Sequence, residues 1–437
     1  MDLVDIDLVD KALDDARARY VAARPTSAAI QEEAERWLPG GNTRTVLWFD
    51  PFPFRAARAW DCFLEDVDGH VYVDFLGEYT AGLYGHSDPV IRETVTATLA
   101  DGISFGAHNR YEAALAAEVC RRFPTMERLR FTNSGTEANL MAVAAARAAT
   151  GREALVVFDG GYHGGLLSFS AGASPVNAPY PVHVATYNDV ADVERVFAAH
   201  GNEVAAVLVE PVLGSGGCIA GDPAFLHRLR SLADEHGALL VLDEVMTSRL
   251  SPGGLQAVLG LRSDLTTLGK YVGGGMSFGA FGGRADVMRL FDPSAPGALP
   301  HAGTFNNNVL SMAAGLAGLT RILTPEAQEG LNARGDRLRA ALEDVFRTAD
   351  APFCATGAGS MVGVHATRGP VRTVADARAA DKRLSEVLFL DLLERGYYLA
   401  RRGFMALSLR IADDHVDGLV AAVREVVADR EPLWRNA

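Results

Sequence analysis

Between about residue 77 and residue 320, short unbroken apolar runs alternate with alanine-rich stretches, and this alternation is what most narrows the fold. The runs are residues 155–158 (Leu-Val-Val-Phe), 204–209 (Val-Ala-Ala-Val-Leu-Val), 238–242 (Ala-Leu-Leu-Val-Leu) and 265–268 (Leu-Thr-Thr-Leu), and helical candidates such as 137–149 and 223–235 lie between them. A strand covered on both faces reads as continuous apolar sequence, and the intervening helices supply the covering layers. The pattern therefore predicts an α/β domain around a mostly parallel sheet. In such sheets ligands bind beyond the carboxyl ends of the strands.

Three polar groups stand at predicted strand ends. Lys270 closes the run Leu265-Thr-Thr-Leu-Gly269 and is followed by Gly273-Gly-Gly275; Asp243 closes 238–242; Ser134-Gly135-Thr136 follows residues 129–132 and opens a helix. A lysine taken out of water has a lowered pKa and becomes a nucleophile. A helix start flanked by hydroxyls holds an anion. An amine, a carboxylate and an anion cradle together suit pyridoxal 5'-phosphate (PLP): the amine forms a Schiff base, the carboxylate keeps the ring nitrogen protonated and the cradle takes the phosphate. Singly, each group has a plainer reading as a strand-end lysine, a buried ion-pair or capping carboxylate, and a helix cap. Glu244 competes with Asp243 for any role. Val245 can lie against a ring face, Tyr162 can stack on one, and His163 is expected to position neighbours.

Elsewhere the sequence is less specific. Over 437 residues the net charge is −14, which argues against nucleic-acid binding and against anionic membranes. Cys62, Cys120, Cys218 and Cys354 form no C-x-x-C pair, so a reduced cytoplasmic protein without a metal site is expected. The acidic start does not resemble a signal peptide, and no apolar run approaches membrane-spanning length. Residues 1 to about 40 read as helical, and 60–75 as two strands around the turn Asp66-Val-Asp-Gly69. A long helix is expected from Pro325 to about Asp350. The expected division is an N-terminal segment 1–76, a large domain 77–320 and a C-terminal segment 321–437, the two end segments building a smaller α/β domain.

Taken in order, Asn133-Ser-Gly-Thr-Glu-Ala-Asn139, Gly161-Tyr-His-Gly164, Val209-Glu-Pro211, Leu242-Asp-Glu-Val-Met-Thr247, residues 264–270 and Ala302-Gly-Thr304 resemble the class III aminotransferases, PLP enzymes of fold type I. The resemblance covers nearly the whole chain. It implies a seven-stranded sheet, Lys270 as the Schiff-base lysine, Asp243 as partner of the ring nitrogen, and Gly135 and Thr136 as phosphate ligands. Ser134, His163 and Glu210 join the cofactor site, and Tyr162 and Val245 enclose the ring. It also implies a homodimer in which Thr304 reaches the neighbouring subunit's phosphate.

Within that group, Phe131 to Thr136, Met246 to Leu250, Gly274 to Gly283 and Gly303 to Asn308 are similar to the β-phenylalanine aminotransferases. Asp243 to Thr247 and Thr266 to Lys270 are also similar to the glutamate-1-semialdehyde aminomutases, although Phe404-Met405 and Gly303 to Asn308 depart from their pattern. The resemblance matches Arg44 and Arg402 to carboxylate-binding arginines, and an arginine fork suits a carboxylate. Tyr79 is a candidate for substrate lining, with Trp48, Phe49, Phe52, Tyr84 and Phe404. The expected activity is ping-pong transfer of an amino group from an aromatic β-amino acid to 2-oxoglutarate or another oxo acid. An aminomutase and a broad amine transaminase are the alternatives.

Overall fold

The computed structural model describes residues 3–169 and 174–435. At its centre is a seven-stranded sheet in the order Arg128–Thr132, Gly279–Gly283, Leu265–Gly269, Leu239–Asp243, Val204–Val209, Ala154–Phe158, Val182–Ala185. Gly279–Gly283 runs antiparallel to both neighbours and the other pairings are parallel. The apolar runs are the fully buried strands of this sheet.

Side-chain alternation explains why both faces are apolar. Ala206, Leu208, Leu239 and Val241 face one layer, where they meet Ala138, Ala142 and Ala146 of the helix Gly135–Thr150. Val207, Val209, Leu240 and Leu242 face the other, against Phe225, Leu226 and Leu229 of Pro223–His236. The alanines let the first helix lie close to the strands. Gly279 serves the same end: a Cβ there would collide with the Ser134 carbonyl, so only glycine admits the turn that starts this helix.

The chain ends meet. Val71–Asp74 pairs in parallel with Tyr397–Tyr398, extending a sheet begun by Ala56–Trp60 and Phe63–Asp66. The helix Leu3–Ala23 packs on Lys382–Glu394, where Arg19 and Arg430 both donate to Asp391. The expected turn forms because Asp66 Oδ1 accepts from the backbone N–H groups of Asp68 and His70. The long helix Pro325–Thr348 starts where Thr324 Oγ1 accepts from Ala327 N–H, with proline at its first turn. Among the described residues no helix is long and apolar enough to cross a membrane.

Candidate active site

The carboxyl ends of the central strands bring Ser134, Gly135, Thr136, Tyr162, His163, Glu210, Asp243, Val245 and Lys270 around one cavity of about 280 Å³. A larger cleft, of about 1040 Å³, lies beside the helix Pro325–Thr348 and gathers none of these groups. Chemistry, rather than size, singles out the smaller cavity.

The helix Gly135–Thr150 points its amino end at this space. Ser134 caps it, accepting at Oγ from Glu137 N–H over 3.2 Å. Gly164, at φ +110°, passes so close to Thr136 that a Cβ would strike its side chain, and Gly165 N–H donates to Thr136 Oγ1 over 3.3 Å. A Cβ on Gly135 would stand 3.1 Å from Val245. Backbone N–H groups, hydroxyls and a helix dipole thus face a space kept narrow by glycines.

Asp243 ends its strand buried and hydrogen-bonded at both oxygens, with acceptor capacity left on Oδ1. Oδ2 accepts from Asn139 Nδ2 and from His163 Nδ1, each at 2.8 Å, and Oδ1 accepts from Val245 N–H at 3.0 Å. Thr267 Oγ1 in turn donates to Asn139 Oδ1 at 2.8 Å, which fixes the amide. Glu244 points elsewhere: it accepts from Thr247 Oγ1, Leu255 N–H and Gln256 N–H and so caps the helix Gly254–Leu259. The competition between the two neighbouring carboxylates is thereby decided by strand alternation.

Lys270 leaves its strand at φ +57°, in the left-handed region that non-glycine residues seldom occupy. Burial pushes its amine down to about 8, against the opposing pull of Asp243 and Glu210. Its Nζ donates to the carbonyl of Tyr79 over 2.5 Å. That carbonyl belongs to an unusual run in which Gly77, Glu78, Tyr79 and Thr80 all have positive φ. Three of the four carry side chains, so the turn is strained and must be held by its surroundings.

Tyr79 is the hub of the outer site. Its ring stacks on Phe404 at 5.9 Å and 9°, its hydroxyl donates to the Val46 carbonyl at 3.1 Å, and Arg402 lies over both rings at 5.3 and 5.6 Å. Burial raises the Tyr79 hydroxyl above its ordinary value, and the charges of Arg402 and Arg44 pull it back. Arg402 donates to Ser215 Oγ at 3.2 Å. Arg44 is half-exposed and donates to the Glu78 carboxylate.

Burial pushes the Glu210 carboxyl up to about 7, with His163 pulling it down and Asp243 pushing it up. It accepts from Tyr162 N–H at 2.9 Å and Gly214 N–H at 3.1 Å, which ties the Tyr162 loop down. Thr304 is exposed and does not border this cavity. Two of the aromatic candidates are core rather than lining: Phe49 packs on Tyr20 and Phe389, and Phe52 on Tyr20. Tyr84 is buried against Tyr271. Sequence reasoning missed Asn139, Glu78 and the Tyr79 carbonyl. Only Asn139 left a signal, as a buried polar residue one turn into an alanine-rich helix.

Comparison with known proteins gives the family. Residues 48–427 match the family described as aminotransferase class-III. A β-phenylalanine transaminase of Variovorax paradoxus is 53% identical over 429 residues, which cover 98% of this chain and 99% of that protein. The crystal structure of a β-phenylalanine aminotransferase from V. paradoxus superposes with a TM-score of 0.95 at 52% identity, covering 97% of this chain and 98% of that one. A glutamate-1-semialdehyde 2,1-aminomutase of Sorangium cellulosum is 39% identical over 427 residues, 92% of this chain and 96% of that protein.

Proposed function

The chain belongs to the class III aminotransferase family of PLP-dependent enzymes, and from that premise we propose that it transfers the amino group of an aromatic β-amino acid to 2-oxoglutarate or a similar oxo acid by a ping-pong mechanism. The observation that carries the proposal is the placing of Lys270 and Asp243 on one cavity, with Lys270 bonded to the carbonyl of Tyr79, whose ring lies under Arg402. The similarity to a β-phenylalanine transaminase supports the substrate class.

The residues present fit the cofactor. The capped start of Gly135–Thr150, with Ser134 and Thr136, would hold the phosphate, and buried Asp243 would pair with the ring nitrogen. Tyr162 and Val245 would enclose the ring. When bound, PLP supplies the electron sink that makes the proton on the amine-bearing carbon removable. His163 and Asn139 keep Asp243 aimed into the cavity. The lowered pKa of Lys270 makes a neutral amine available near pH 8, and its Nζ takes that proton and returns it one position away. Arg44 and Arg402 would bind carboxylates, one for the donor and one for the second carboxylate of the acceptor.

The same reading takes 77–320 as the large domain and joins 1–76 with 321–437 as the small one, supported by the pairing of Val71–Asp74 with Tyr397–Tyr398. It also takes the enzyme as a cytoplasmic homodimer, with exposed Thr304 offered to the partner site.

The test is a half-reaction followed by absorbance, without acceptor. β-Phenylalanine and L-glutamate are expected to bleach the visible cofactor band, and 2-oxoglutarate to restore it. Bleaching by 1-phenylethylamine alone would replace the proposal with an amine transaminase. The 39% identity to an aminomutase favours one further reading, which turnover without any acceptor would establish.

A further inference from the structure

We propose that His183, His200 and Glu203 form a binding site for a transition-metal dication of the zinc type, apart from the cofactor cavity. None of the three borders that cavity. His183 stands on Val182–Ala185, the strand at the edge of the seven-stranded sheet. His200 ends the helix Val190–His200, and Glu203 lies in the turn that leads into Val204–Val209. The turn is braced at both ends: Glu203 N–H donates to the His200 carbonyl at 2.9 Å, and Ala154 N–H donates to the Glu203 carbonyl at 3.2 Å.

The donor atoms converge. His183 Nε2 and His200 Nδ1 lie 3.0 and 2.8 Å from the same oxygen, Glu203 Oε1, and all three donors lie within 4.8 Å of one another. A tetrahedral zinc ion with bonds of about 2.0–2.1 Å spaces its ligands roughly 3.3 Å apart, so each histidine nitrogen needs to draw back from the Glu203 oxygen by only a few tenths of an ångström.

The two imidazoles stack with centroids 4.0 Å apart and planes 20° from parallel. Each imidazole lone pair lies in its own ring plane, so joint ligation requires the two rings to turn out of this stack, which their exposed position allows. A dication would then take one lone pair from each ring together with the carboxylate. Imidazole and carboxylate ligands suit zinc, copper and nickel, and two nitrogens disfavour magnesium and calcium. The side chains of His183, His200 and Glu203 are 23%, 44% and 57% exposed, so the remaining coordination positions open to water and the ion exchanges. Bound there, it would clamp the sheet edge to a helix end and to the next strand, stabilising the fold by mass action without entering the chemistry.

The test uses the holoenzyme, dialysed against a chelator and titrated with zinc in competition with a chromophoric chelator. The expected result is one zinc per chain, unaffected by excess magnesium, with a rise in Tm. His183→Ala and His200→Ala should each weaken binding by about tenfold or more and remove the Tm rise, while the half-reaction stays unchanged. Copper(II) loaded in place of zinc should show coupling to two nitrogens in its electron paramagnetic resonance spectrum, a readout that needs no variant. The proposal is overturned if the wild type takes up no zinc, if uptake survives both histidine substitutions, or if the copper spectrum lacks nitrogen coupling.

Discussion

Arg44 donates to the carboxylate of Glu78, the residue next to Tyr79 in the chain. Glu78 can do so because it sits in the left-handed run Gly77 to Thr80, whose carbonyl at Tyr79 also receives Lys270 Nζ. One strained turn therefore sets both the reactive amine and the ion pair of the arginine proposed for substrate. A substrate carboxylate reaching Arg44 at Nη1 would compete with Glu78. Glu78→Gln should lower KM for β-phenylalanine by no more than about fivefold, since the pair is half-exposed, and leave kcat nearly unchanged. Arg44→Ala should raise the same KM about tenfold or more. Steady-state kinetics separates the cases: an effect of Arg44→Ala without one of Glu78→Gln would mean that the ion pair does not compete with substrate.

Lys270 predicts a pH dependence. Burial lowers its amine from 10.5 to about 8. The neutral form moves protons, so the half-reaction should rise tenfold per pH unit at low pH and level off above about 8. Linkage gives a second consequence. In the cofactor-free protein the unfolded lysine holds its proton up to about 10.5 and the folded one only to about 8. The unfolded state therefore binds more protons in that window, and stability gains as pH rises through it. Lys270→Met should abolish the reaction and flatten that part of the stability profile, as read by denaturant unfolding at several pH values.

The sheet and its site were legible to different degrees. Strands such as Val204–Val209 could be read directly, because burial on both faces leaves no polar residue to confuse the period. Lys270 and Asp243 could be read because a charged residue ending such a run demands a reason. Glu78 could not: its role comes from positive φ at three consecutive residues with side chains, which no composition signals. The Tyr79 carbonyl is invisible for a simpler reason, since every residue has one. Phe49 and Phe52 were open to either reading, and packing on Tyr20 made them core. His183 and His200 lie on different elements, and only the fold stacks them.

Asp243 and Glu244 should separate function from stability. Glu244 accepts three hydrogen bonds where water does not reach, so Glu244→Ala would orphan Thr247 Oγ1 and the N–H groups of Leu255 and Gln256. At about 1–3 kcal/mol for each buried unsatisfied group, the loss should be several kcal/mol, visible as a lower Tm. Asp243→Asn keeps the shape but sets an amide NH2 against a buried N–H donor, so it should cost about 1–3 kcal/mol in folding while reducing the half-reaction rate by orders of magnitude. Thermal unfolding and stopped-flow absorbance on both variants would expose the reverse pattern if the roles were exchanged.

Asn139 should matter more than its distance from the reacting carbon suggests. Its Nδ2 is shared between Asp243 Oδ2 and the His163 carbonyl, and its Oδ1 takes the Thr267 hydroxyl. Asn139→Leu fits the volume and removes all three bonds, so the Thr267 hydroxyl and one Asp243 lone pair lose their partner in a dry site. A stability loss of about 1–3 kcal/mol is expected, with weaker cofactor retention on dialysis. Thr267→Val, which removes only the outer member, should show a smaller version of both effects.

The proposed dimer has a visible footing. Phe305 is 60% exposed beside Thr304, and Ile103 and Phe105 are about half exposed on a second loop. The two loops are tied together: Asn109 Nδ2 donates to the Asn307 carbonyl at 2.8 Å, and Asn307 Nδ2 to the Ala107 carbonyl at 3.4 Å. Large apolar side chains exposed on braced loops are what a subunit interface would cover, and they support the proposed dimer. Phe305→Asp places a charge in that surface and should shift the protein from dimer to monomer by light scattering. Because Thr304 would then no longer reach a neighbouring site, activity should fall with the dimer fraction and recover at high protein concentration. A Phe305→Asp protein that stays dimeric and active would place the interface elsewhere.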